Sequence, residues 1–170
     1  MRDLDLTRCS ALNDTALPHL LCVMPQLRSL VLYADAQFGA QFLERVCGAA
    51  GTELSRFDVC GCQHMSDAAL LALAGTGAVQ SLQTLNLTWC TNVSDVGAAP
   101  FLARCNKLQW LSLHGNTLVT RAVLDSLQAA AAASLHTLDV RGCTAIPAEK
   151  RAPLGLLAIL PCLRVFKVHS

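Results

Sequence analysis

Apolar residues recur at the first, fourth and sixth places of a short segment, and the segment itself recurs along the chain. It reads "MRDLDLTRC" from Met1, "LRSLVLYAD" from Leu27, "LSRFDVCGC" from Leu54 and "LQTLNLTWC" from Leu82. It continues as "LQWLSLHGN" from Leu108, "LHTLDVRGC" from Leu135 and, shortened, "LRVFKVHS" from Leu163. Successive starts lie 26, 27, 28, 26, 27 and 28 residues apart. A fixed spacing in this range marks a repeat architecture, one supersecondary unit stacked many times. The alternation predicts a short strand whose fourth and sixth residues turn inward and whose third, fifth and seventh turn outward. The ninth place holds Cys9, Cys62, Cys90 or Cys143, with Asp35 and Asn116 standing in for cysteine in two copies.

The remainder of each unit also repeats, as "SALND", "QHMSD", "TNVSD" and, more loosely, "TLVTR" and "TAIPA". An inward apolar residue is predicted at Leu12, Met65, Val93, Leu118 and Ile146. Asn13, Ser66 and Ser94 are predicted helix caps, with Asp14, Asp67 and Asp95 beside the positive helix end. Leu70, Leu71 and Leu73 follow at helical spacing. Each unit is then a strand, a tight turn and a helix, and neither half buries its apolar face alone. Stacking solves this: about six and a half units form one right-handed α/β solenoid over residues 1–170, with a parallel concave sheet and convex helices.

These motifs resemble the leucine-rich repeat, in its cysteine-containing subtype. "CNKLQWLSLHGN" is similar to that subtype's Cys-x-x-Leu-x-x-Leu-x-Leu, and "CTNVSD" to its Cys-x-x-Ile-Thr-Asp. The resemblance covers nearly the whole chain; the second repeat, "YADAQFGAQF", departs from it. It implies a horseshoe that binds a protein partner. The subtype is known from the substrate-recruiting region of F-box adaptors in ubiquitin ligases, from proteins like the antagonist of mitotic exit, and from assembly factors of mitochondrial complexes. The first repeat opens at Met1, which leaves no room in these residues for an F-box ahead of it and weighs against the adaptor reading. The alternative is a structural or assembly subunit of a large mitochondrial or cytoskeletal complex.

Composition narrows the chemistry. Of 170 residues 53% are apolar, and 13 Lys and Arg balance 12 Asp and Glu. No basic field exists to hold nucleic acid by counterion release. The N-terminus has no signal-peptide core, and the longest apolar run, near "LGLLAILPCL", is too short for a membrane span. Nine cysteines, an odd number, in a chain this apolar predict reduced thiols in an intracellular protein, cytoplasmic or nuclear, with mitochondrial as the alternative. The cysteine column is predicted to pack as small buried hydrophobes, and Cys22, Cys47, Cys105 and Cys162 likewise near helix ends. "CGCQH" gathers Cys60, Cys62 and His64, but Cys60 should face out of the sheet and Cys62 in, and nothing completes a tetrahedral zinc set. The histidines sit in no catalytic motif, and no phosphate loop follows the glycines. No metal, cofactor or enzymatic activity is expected.

The candidate site is therefore the outward strand face. Its third places are Asp3, Ser29, Arg56, Thr84, Trp110, Thr137 and Val165; its fifth are Asp5, Val31, Asp58, Asn86, Ser112, Asp139 and Lys167. Its seventh are Thr7, Tyr33, Cys60, Thr88, His114, Arg141 and His169. The partner is expected on Arg56, Asp58, Asn86, Trp89, Trp110, His114, Asp139 and Arg141, which hold most of the face's charge and both tryptophans. Two readings of the tryptophans stand: a rim aromatic covering the next coil, or an anchor for a partner. At the ends, Met1, Leu4, Leu163, Phe166 and Val168 fill inward places with no further coil beyond them. At least one end is expected to be covered by another chain, a second copy or a further part of the protein.

Overall fold

Seven three-residue strands form one parallel sheet in sequence order, each pairing only with the strand of the adjacent coil. The structure, a computed structural model, describes residues 2–9, 26–33 and 54–168. Met1, Leu12, Asn13, Asp14, Cys22, Asp35, Cys47 and His169 lie outside the described residues. The strands are β1 (Asp3–Asp5), β2 (Ser29–Val31), β3 (Arg56–Asp58), β4 (Thr84–Asn86), β5 (Trp110–Ser112), β6 (Thr137–Asp139) and β7 (Val165–Lys167). Described helices are α1 (Asp67–Ala74), α2 (Asp95–Leu102), α3 (Arg121–Ala131), α4 (Ala148–Arg151) and α5 (Pro153–Ile159), with a 3₁₀ turn at Gly77–Gln80.

The register follows the repeat: Leu4, Leu30, Phe57, Leu85, Leu111, Leu138 and Phe166 align across the sheet. From Leu30 to Leu138 these residues are at most 1% exposed. The sixth-place residues are as deeply buried in the middle coils, with Leu87 and Leu113 at 0%. Each sixth-place N–H donates to the fifth-place carbonyl of the next coil, from Leu6 to Val31 (2.8 Å) through to Val140 to Lys167 (2.9 Å). No strand could satisfy its backbone alone, so the coils stack because their N–H and C=O groups require it.

The ninth column does more than fill space. Cys62 Sγ donates to the Leu32 carbonyl (2.8 Å), Cys90 to Val59 (3.1 Å) and Cys143 to Leu113 (3.0 Å). Asn116 Nδ2 donates in the same way to Leu87 (3.0 Å). Each side chain thus satisfies a buried carbonyl of the preceding coil. Asn116 brings a second polar atom that the thiols lack, and its buried Oδ1 has no hydrogen-bond partner among the described residues. An unpartnered buried acceptor costs about 1–3 kcal/mol. Asn116→Cys keeps the donor and removes the orphan, so it is expected to stabilise the chain by about 1 kcal/mol. A lower urea midpoint for this variant would show that Oδ1 is satisfied.

Burial pushes the thiols of Cys105 and Cys143 up to about 12, from an ordinary 9.0, and raises that of Cys90. A thiol whose folded pKa lies above its unfolded value stabilises the fold fully below the unfolded value. That contribution fades as pH rises past it, because only the unfolded chain ionises. Stability is therefore expected to decline above about pH 9. At neutral pH iodoacetamide should leave Cys62, Cys90, Cys105 and Cys143 unmodified in the folded chain. Alkylated Cys90 in native protein, seen by mass spectrometry, would contradict this. Cys60 departs from its expected outward exposure: it is only 9% exposed, and its thiol is also raised by burial.

Two corrections concern the helix starts. The inward apolar residue of the fifth coil is Val119, fully buried, and not Leu118, which is 52% exposed. Val119 stands three places past Asn116, as Met65, Val93 and Ile146 stand three past their cysteines. "TLVTR" therefore keeps the common register, and Thr120 caps α3 as Ser94 caps α2. Ser66 occupies the cap place of α1 but makes no side-chain cap bond.

The aspartates after the caps also reach beyond their own helices. Asp67 accepts from the Ser94 N–H (2.8 Å) and hydroxyl (2.5 Å) of the next coil. Asp95 does the same for Thr120, at 2.8 and 2.5 Å. The fifth coil has Arg121 in this place, which instead pairs with Asp125 at 3.2 Å.

Candidate functional site on the strand face

The acidic and amide residues of the fifth place first hold their own turns. Asp58 Oδ1 accepts from the N–H two residues on, at Cys60 (3.2 Å); Asn86 does so at Thr88 (3.1 Å) and Asp139 at Arg141 (3.2 Å). Asp5 accepts from both the N–H and the hydroxyl of Thr7. Short polar side chains form such turns readily, which explains the column's composition without reference to a ligand.

The eighth place turns the chain off the sheet with a positive φ: 58° at Arg8, 75° at Gly61, 57° at Trp89, 80° at Gly115 and 70° at Gly142. Its N–H reaches the seventh-place carbonyl of the next coil, as from Trp89 to His114 (2.7 Å). Glycine takes this conformation freely, whereas a residue with a Cβ pays roughly 1–2 kcal/mol. Trp89 is thus a bulky residue in a glycine position. Its ring lies over the next turn, where a Cβ on Gly115 would fall 2.6 Å from a ring carbon. It also meets the His114 ring at 5.2 Å. So Trp89 covers its neighbour and yet remains 52% exposed. Trp110, in β5 between Thr84 and Thr137, is only half-buried in the sheet face.

Two pairs of opposite charge on this face lie within single coils. Arg141 grips Asp139 through Nε (3.0 Å) and Nη2 (2.7 Å). Burial works to raise the Asp139 pKa, but the Arg141 hydrogen bonds outweigh it and hold the carboxyl below its ordinary value. Asp139 is 5% exposed, so its charge is hardly presented to solvent. Arg56 lies 3.6 Å from Asp58. Between these pairs the Thr88 and Ser112 hydroxyls are hydrogen-bonded at 2.6 Å.

The structure therefore brings Trp89 against His114 and Asp139 against Arg141, and holds Arg56 and Asp58 together three coils away from the latter pair. Sequence reasoning missed the left-handed column, although glycine at Gly61, Gly115 and Gly142 was its visible sign. No group of three or more His, Cys, Asp or Glu among the described residues could hold a metal. No helix among them is long and apolar enough to cross a membrane. Of the end-coil residues, Leu163 and Val168 are 6% and 8% exposed, while Leu4 and Phe166 are partly buried against the core; Met1 lies outside the described residues.

Parallel coils of strand, left-handed turn and helix, joined by a buried donor column, define a leucine-rich-repeat solenoid. Residues 80–102 match the family model described as Leucine Rich repeat. A chain in the crystal structure of the yeast Rad7 and Elc1 complex is similar at 13% identity with a TM-score of 0.38. The match covers 97% of this chain and 62% of that one, so this chain spans less than two thirds of the length of the protein it resembles.

Proposed function

We propose that this chain is a non-enzymatic protein-interaction module whose partner lies across the strand face from β3 to β6. The observation that carries this reading is the half-exposed Trp89 beside His114, at the rim of an open sheet face. Exposed tryptophan is characteristic of the residues that dominate protein interfaces. On the sequence resemblance to F-box adaptors, the partner is a protein presented for ubiquitination, met in the cytoplasm or nucleus. In the last coil Leu154 on the helix is 83% and Val165 on the strand 49% exposed, apolar positions that a covering chain or copy would take up.

The test is affinity purification from native extract with the natural chain and with Trp110→Ala, a change expected to cost about 2 kcal/mol in binding. Recovery of cullin-ligase components, together with a client that Trp110→Ala loses, supports the adaptor. Stoichiometric recovery with subunits of one mitochondrial or cytoskeletal complex makes the chain a structural subunit instead. A complex that buries the helices and leaves the strand face in water overturns the proposed surface.

A further inference from the structure

Resting on the reading that a partner occupies the strand face, we propose that the partner presents an uncharged segment there, seated against Trp89, and that charge neither steers nor holds it. The charges of β3 and β6 are already matched within their own coils, Arg56 to Asp58 at 3.6 Å and Arg141 to Asp139 at 2.7 Å. A partner carboxylate that reached the remaining N–H groups of Arg141 would meet a guanidinium whose charge is already offset by a two-point pair with the almost fully buried Asp139. Such bidentate pairs are among the stronger charged contacts. Between the two pairs, β4 and β5 present Thr84, Asn86 and Trp110, with Thr88 and His114 in the turns beyond them. A charged group laid on this strip would give up water and find no counter-charge. Hydroxyls, an amide and aromatic rings suit a segment of neutral polar and apolar side chains.

Trp89 locates the anchor. It keeps a left-handed backbone at a place where Gly61, Gly115 and Gly142 serve three other coils and Arg8 a fourth. Strained positions of this kind gather at binding sites, where the strain is retained for function. Packing on Gly115 and His114 uses part of the ring and leaves the rest open.

The test uses a random peptide library displayed on phage, panned on the full chain at low and at high sodium chloride, with the selected sequences measured as synthetic peptides. Enriched peptides should carry no net charge and at least one apolar or aromatic residue. Their affinity should change by less than about twofold across the salt range, because screening has nothing to act on. Trp89→Gly should weaken them roughly thirty-fold while keeping the fold, since glycine takes this turn freely. Thr84→Arg, at a half-buried place in β4, should weaken them as well. Strongly acidic or basic peptides that salt releases, but that still require Trp89, overturn the neutral segment and leave the strand face as the binding surface. Peptides that bind both variants as well as the natural chain overturn the surface too. A library without enrichment overturns the neutral segment.

Discussion

Gly97→Ala is expected to destabilise the chain by about 3 kcal/mol, the upper part of the range for overpacking a close contact. Gly97 is the third residue of α2, and an added Cβ would lie 2.4 Å from the Asp67 Cα and 2.7 Å from its Oδ1. Alanine would favour the helix itself by roughly 1 kcal/mol. The clash decides the sign, because its main partner is backbone that cannot swing aside. Relief would require α1 and α2 to separate, and that would stretch the bonds from Ser94 to Asp67. Urea unfolding should show a lower midpoint with an unchanged slope. A variant as stable as the natural chain would mean that the two helices do not approach this closely.

The second large effect is expected at Asp95. Asp95→Ala strips the Thr120 N–H and hydroxyl of their shared acceptor, and should cost about 2–3 kcal/mol. A carboxylate that merely faced the positive end of its own helix would contribute less, about 0.3–1 kcal/mol. A double-mutant cycle with Thr120→Val separates these accounts. Coupling of about 1 kcal/mol or more places the contribution in the bond between coils, and additive losses return it to the helix end.

The sheet was legible because its signal has a period of two and repeats in every coil. Leu85 and Leu111 could only face the core once the alternation was aligned, and the strand register followed from the same alignment. The helix starts were harder. Leu118 and Val119 are adjacent and both apolar, so composition did not separate them; only the constant three-residue step from the ninth place does. The aspartates after the caps carry a helix-end signature, and their use by the following coil depends on a spacing between coils that no local pattern encodes. On the strand face the residue types were readable but their commitments were not. Asp139 and Arg141 look like offered charges in one dimension, yet fold into a closed pair. Trp89 and Trp110 were visible as aromatics, but their exposure depends on which backbone conformation carries each ring.

The bonds between coils have a mechanical consequence. Those of the ninth column span 29 to 31 residues and those of the aspartates 25 to 27, so each links a coil only to its immediate neighbour. Among the described residues no bond of that kind spans more than one junction. Pulled by its two ends, the molecule carries tension through a series of similar junctions, and the weakest gives way first. Each release frees a unit of 26 to 28 residues, roughly 90 Å of contour at the extended length per residue. The chain would lengthen in a staircase of similar steps and rewind from whichever coils stayed closed, behaving as an extensible spring rather than a brittle shell.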